Sequence, residues 1–148
     1  MMMNRELMTV EILKARHETG VTWAALAEAI GMSPIWTTSC AYGMNSMPAD
    51  KAAGFCETLG LGKEVEDELQ RCPSKTWDKA VPTDPLLYRL YEAIMVYGDS
   101  VKELIHEQFG DGIMSAIDYT MSLDKVEDPK GDRVILTLNG KFLPYKRW

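Results

Sequence analysis

Residues 86–97, LLYRLYEAIMVY, are apolar at almost every position. Wound as a helix, Leu86, Leu87, Tyr88, Leu90, Tyr91, Ala93, Ile94, Met95, Val96 and Tyr97 leave no wet face. A helix that is apolar all round is a buried helix, so any fold of this chain has to cover it. Two charges interrupt the run, Arg89 and Glu92. Their i, i+3 spacing puts them on one side of the helix, and Arg and Glu are rarely buried unless paired or used. A surface ion pair is a weak explanation. It contributes only about 0.2–0.5 kcal/mol, and acid before base is the better order, whereas here the base comes first. On residue pattern alone, a buried pair fixing a subunit interface and a functional site stand equally open.

A chain of 148 residues can bury a real core as one or two small domains. Its net charge is −6, with 8 basic and 11 acidic side chains in residues 1–80 and the same numbers in residues 81–148. Neither half is basic, which argues against a nucleic-acid footprint. Cys40, Cys56 and Cys72 form no metal spacing and are odd in number, as expected of a reduced, cytoplasmic chain. The opening MMMNRELMTVEILKARHETG carries charges throughout and no long apolar run, so it reads as neither a signal peptide nor a membrane span.

Residues 1–80 read as a bundle of short helices. The first covers residues 5–18, with Leu7, Val10, Ile12 and Leu13 as apolar positions and Gly20 as its stop. Thr22 can cap a helix over 23–30. Gly31-Met32-Ser33 turns the chain, and Ser33 with Pro34 opens a third helix. Further helices fit 48–59 and 63–70, and Pro73 ends the last. The layout of residues 21–43 is that of a helix-turn-helix. Its second helix should offer Arg, Lys, Asn or Gln to base edges and phosphates. Pro34-Ile35-Trp36-Thr37-Thr38-Ser39-Cys40-Ala41-Tyr42 offers only hydroxyls, so a packing or assembly role fits better.

A composition change near 75–81 marks the expected boundary with a second domain, 81–148. Thr83 or Asp84 caps the apolar helix, Pro85 sits in its first turn, and Gly98 is expected to end it. Ser100-Val101-Lys102-Glu103 fits a capping box that would open another helix, which Gly110-Asp111-Gly112 breaks. After Ser115 the apolar pattern changes to period two. Asp128-Pro129-Lys130-Gly131-Asp132 reads as a turn and 133–138 as a second strand. Asn139-Gly140 is a tight-turn signal before a third strand over 141–145. Strands this few make a poor independent sheet and suggest pairing across a dimer. The fold class is α+β, mostly helical: an N-terminal helical bundle resembling a helix-turn-helix domain, then a small helix-plus-strand dimerisation and catalytic domain.

Pro82-Thr83-Asp84-Pro85, Tyr88-Arg89, Tyr91-Glu92, Val96-Tyr97-Gly98, Lys102, Leu104, His106-Glu107 and the run Phe109-Gly110-Asp111-Gly112-Ile113-Met114-Ser115-Ala116-Ile117 resemble the cyanase family, also called cyanate hydratase or cyanate lyase. The terminal stretch 128–148 is similar to the end of that family too. The close resemblance covers roughly the last 67 residues; the first 80 resemble the family's helical domain more loosely. Tyr119, where Phe is expected, and Gln108, where a charge is usual, depart from the pattern.

The resemblance implies a cyanate-degrading lyase in which bicarbonate attacks the cyanate carbon. The adduct loses carbon dioxide to leave carbamate, and carbamate gives ammonia and a second carbon dioxide. It implies catalytic roles for Arg89, Glu92 and Ser115, no cofactor, and an interlocked dimer within a decamer built from dimers, with sites shared between subunits. Two anions must then share a site. Unit charges ~4 Å apart repel by about 4 kcal/mol at an effective dielectric of about 20, so cations and donors must offset that. Arg89 is the one Arg of the matched run suited to the task, and its fork fits a carboxylate-like anion. Glu92 would orient Arg89, and Ser115 would donate to substrate; without the resemblance Ser115 is an ordinary turn hydroxyl.

Other chemistries lack residues. His106-Glu107 has Gly110 where a zinc motif needs a second His, and His17 with His106 makes no metal site. Gly110-Asp111-Gly112 lacks the Lys and Ser/Thr of a phosphate loop. Tyr88, Tyr91 and Tyr97 suit core and interface packing. The rival function is a helix-turn-helix regulator with a small-anion-sensing dimerisation domain. The expectation is an enzyme acting on cyanate and bicarbonate, with no nucleic-acid or membrane partner.

Overall fold

The computed structural model describes residues 2–73 and 80–146. Five helices come first: α1 (Arg5–Thr19), α2 (Trp23–Ile30), α3 (Pro34–Ala41), α4 (Ala49–Leu59) and α5 (Lys63–Leu69). Their boundaries follow local chemistry. Asn4, Thr22 and Ser33 each accept a backbone N–H of the first turn of α1, α2 and α3, which satisfies a donor that the helix itself leaves free. Gly20, Gly31 and Gly60 end α1, α2 and α4 in the left-handed conformation, as glycine caps do.

These helices close around one core. Met8, Ile12, Leu26, Cys40, Phe55 and Leu69 are buried together. Thr37 is buried among them, and its hydroxyl donates to the Ser33 carbonyl at 2.9 Å, so this buried hydroxyl is satisfied. Arg5, the first residue of α1, ties the bundle off. Its guanidinium donates to the carbonyls of Gly43, Arg71 and Cys72, so one side chain holds the α3–α4 loop and the end of the α5 segment. The expected domain boundary at 75–81 lies largely on residues 74–79, outside the described residues.

After the bundle come α6 (Pro85–Phe109) and a long hairpin of β1 (Gly112–Val126) and β2 (Arg133–Pro144), the only sheet among the described residues. Asp84 caps α6, accepting from Leu86 and Leu87 at 3.0 and 2.9 Å, with Pro85 as the first helical residue. The fold is α+β and mostly helical.

Three expectations are corrected here. Gly98 does not end the helix, and no new helix starts at Ser100: α6 runs through both for 25 residues. A mid-helix glycine costs only about 1 kcal/mol relative to Ala, and strong helix formers stand a few residues off on both sides, Ala93 and Met95 before it and Lys102, Glu103 and Leu104 after. Asn139-Gly140 does not turn: β2 continues through it, and the third strand is the end of β2. The apolar helix is not buried within its own chain. No residue of α6 is buried, and Leu86 and Ile94 are 69% and 68% exposed.

Candidate active site

Arg89 and Glu92 lie one turn apart on α6, and the pair forms: Arg89 Nε stands 3.3 Å from Glu92 Oε2. The Arg89 side chain is 78% exposed and that of Glu92 37%. An ion pair this wet contributes ~0–1 kcal/mol, so stabilising α6 is a poor reason for its presence. Its setting is unusual for two charges. Around it Leu86, Leu90, Ile94 and Val96 form an exposed apolar surface. Tyr88 and Tyr91 pack with ring centres 6.5 Å apart on the same stretch.

Ser115 sits on β1, in the part of the strand nearest α6 in sequence, and is buried. Its Oγ accepts the N–H groups of Ile117 at 3.1 Å and Asp118 at 3.0 Å. A hydroxyl has two lone pairs and one proton. With both acceptor positions occupied, the O–H has to point away as a donor, and the oxygen makes a poor nucleophile. The strand continues through these residues, with Ile117 97% exposed. Arg89 and Glu92 are thus brought together; among the described residues, no hydrogen bond or ion pair joins Ser115 to either of them.

The start of β1 is fixed by ties to both its neighbours. His106 Nε2 lies 3.1 Å from the Gly112 carbonyl, and its Nδ1 lies 3.6 Å from Asp111 Oδ1. Tyr145 donates its N–H to the Asp111 carbonyl at 3.0 Å. Phe109, the last residue of α6, packs on Phe142 of β2 at 5.3 Å between ring centres. Two glycines make this closeness possible. A Cβ on Gly112 would run into the Leu143 carbonyl and the Phe142 ring, and one on Gly140 into the Met114 side chain and the Ser115 carbonyl. Neither glycine has positive φ, so space is what excludes a side chain. Sequence reasoning took Gly112 for a helix breaker and Gly140 for a turn. The signal that could have found their role is a glycine inside a strand, which marks a close approach of backbone.

Elsewhere the candidates thin out. Among the described residues, no three His, Cys, Asp or Glu side chains gather as a metal-binding group. Burial pushes the Cys40 thiol up to about 12, against a weaker opposing hydrogen bond from Ser39, and pushes Cys56 up to about 11. Both stay protonated and inert near neutral pH. On α3 the hydroxyls that might have met DNA are engaged: Thr37 donates to Ser33, Thr38 to Pro34 and Ser39 to Trp36, all on backbone carbonyls. No helix among the described residues is long and apolar enough to cross a membrane.

Comparison with known proteins meets this geometry from outside. Residues 5–73 match the family described as cyanate hydratase, N-terminal, and residues 79–147 match the cyanate lyase C-terminal domain. The cyanate hydratase of Teredinibacter turnerae (strain ATCC 39867 / T7901) is 56% identical over 140 residues, covering 95% of this chain and 96% of that one. That of Thiobacillus denitrificans (strain ATCC 25259 / T1) is 49% identical over 147 residues, covering 99% and 100%. Among solved structures, the crystal structure of cyanase from T. urticae superposes with a TM-score of 0.83 at 39% identity, covering 93% of this chain and 96% of that one.

Proposed function

The chain belongs to the cyanate lyase family and degrades cyanate; we propose that it does so with bicarbonate as the second substrate and with no metal or cofactor. In the balanced reaction, cyanate, bicarbonate and one proton give carbamate and carbon dioxide. Carbamate then takes a second proton and falls to ammonia and carbon dioxide. Bicarbonate oxygen forms the new bond to the cyanate carbon, so the protein has no nucleophile to provide. Its task is to hold two anions together, which is potentially worth up to about 7–11 kcal/mol, and to set charge around them in advance.

Arg89 carries this reading. It is a cation presented on an apolar helix face, paired by a single contact through Nε, and no structural need accounts for it there. Its role is to bind anionic substrate and the charge that develops on the adduct. Glu92 holds the guanidinium in register; as a bare carboxylate it would repel either substrate. Ser115, with both lone pairs filled by N–H groups, serves as a hydrogen-bond donor to substrate. One Arg per chain is few for two anions, so the site takes residues from more than one subunit, in a decamer built from dimers. The exposed apolar surface of α6 supports this, as does a hairpin with little apolar cover of its own. The N-terminal bundle serves assembly, and the enzyme works in the cytoplasm.

Ammonia release from cyanate, measured with and without added bicarbonate and after exhaustive chelation, tests the proposal. Turnover should depend on bicarbonate and survive chelation. Full activity in bicarbonate-free buffer, or a loss that zinc or magnesium restores, would overturn it.

A further inference from the structure

Ser115 is positioned from outside its own strand, and the position doing so is Gly140. β2 passes β1 here at backbone contact. A Cβ built on Gly140 would lie inside the Met114 side chain and 2.9 Å from the Ser115 carbonyl oxygen, closer than real Cβ atoms come. The carbonyl is flanked by fixed points. Three residues earlier, Gly112 is pressed under Phe142 and Leu143 of β2. Two and three residues later, the N–H groups of Ile117 and Asp118 hold the Ser115 hydroxyl. A shift of the β1 backbone between these points carries Ser115 with it. The backbone at Gly140 is one that other residues adopt, since its φ is not positive. The missing side chain is therefore a demand of space, and the group that borders the space belongs to the site.

We propose that Gly140 is a positioning residue for the cyanate reaction: its bare backbone lets β2 lie against the Ser115 carbonyl and so sets the direction of the Ser115 O–H. The proposal rests on the reading of Ser115 as the donor to substrate. Gly140→Ala should push the Ser115 segment outward by a fraction of an ångström to an ångström, and displacement on that scale can cost up to roughly 10²-fold in rate. The loss should fall on kcat, with KM for cyanate little changed, because Arg89 is untouched. Met114→Ala alone should leave turnover near normal. Placed beside Gly140→Ala it should help the strands pair but leave kcat depressed, since the new methyl still meets the Ser115 carbonyl after the Met114 side chain is gone.

The experiment is steady-state ammonia release on assembled protein from size-exclusion chromatography, for Gly140→Ala, Met114→Ala, their combination, Ser115→Ala and Ser115→Ala with Gly140→Ala. Ser115→Ala alone should lose roughly 10²–10³ in rate, as loss of one such donor does, and adding Gly140→Ala to it should cost nothing more. If Ser115→Ala is fully active, the reading of Ser115 fails and the proposal goes with it. If Ser115→Ala is impaired and Gly140→Ala costs the same factor in both backgrounds, that reading stands and the positioning role falls. Should Gly140→Ala fail to assemble, the Met114→Ala combination decides. A depressed kcat in its assembled fraction supports the proposal. Full activity, or failure to assemble there too, means that the glycine serves the strand pairing alone.

Discussion

The two parts of this chain spend their apolar residues differently. The helical bundle encloses its own: Phe55, Ile12 and Leu26 have no exposed surface, and its caps and buried hydroxyl are satisfied internally. The α6 and hairpin unit holds its apolar residues outward. Leu86, Ile94 and Ile117 all stand in the open in a single chain. One region is finished alone, while the other leaves large apolar side chains in the open, and such side chains mark an interaction surface where they lie together. Arg89, Glu92 and Ser115 all belong to the second. Under the proposed reading, chemistry sits on the region that a second subunit completes, and stability on the region that needs none.

The sharpest way to break the contrast is Ile94→Asp. On a truly wet helix this change costs within about 0.5 kcal/mol. On a face covered in the assembly it buries an unpaired carboxylate. Light scattering should find smaller species and the ammonia assay no turnover; an unchanged oligomer would mean that α6 faces water after all. Arg89→Leu comes next. It should assemble and yet show no activity, while Arg89→Lys keeps the charge, loses the fork and should be badly impaired. Assembled, fully active Arg89→Leu would end the assignment of this site. A change in the finished region should do the opposite. Phe55→Ala, at a site with no exposed surface, should lower stability by about 3–5 kcal/mol. Below its melting transition it should leave kcat unaltered, which calorimetry and the assay together check.

The smallest effect concerns thiols. Cys40 and Cys56 are held up at about 12 and about 11 by burial, from an ordinary 9.0. At pH 8 a thiol reagent should label one cysteine per chain, the exposed Cys72, and three after denaturation. The sign of the linkage follows. A neutral thiol in the fold loses to an ionised one in the unfolded chain once pH exceeds 9. The contribution is intact below that value and fades as pH rises through 11 to 12.

The bundle was legible because its signals are local. Thr22, Ser33, Pro34 and Gly20 each act within one helical turn, and each does in the structure what its type suggests. Around the candidate site the same local rules misled. Gly98 looked like a stop, but a helix carried by 24 other residues absorbs one glycine. Asn139-Gly140 looked like a turn because composition cannot tell a glycine needed for φ from one needed for space; that depends on Met114 and Ser115, 25 or so positions away. The all-apolar run predicted burial, yet hydrophobicity does not say whose atoms do the burying. For the site, the Arg89–Glu92 juxtaposition follows from helical spacing and is present. Ser115 was marked by family resemblance alone, because no residue pattern announces that its Oγ accepts two backbone N–H groups.

Arg5 has a consequence for how this chain can be cut and rejoined. Its guanidinium reaches the Cys72 carbonyl, 67 positions further on, so the polypeptide enters and leaves the bundle at one spot. Modules with adjacent ends tolerate permutation and transplantation. A bundle rejoined by a short linker between residues 73 and 4, and reopened at the exposed turn near Gly60, should keep its fold. Removing residues 1–5 instead would release the Gly43 loop and the end of the α5 segment at once. For anyone engineering this protein, Arg5 is the clasp to keep.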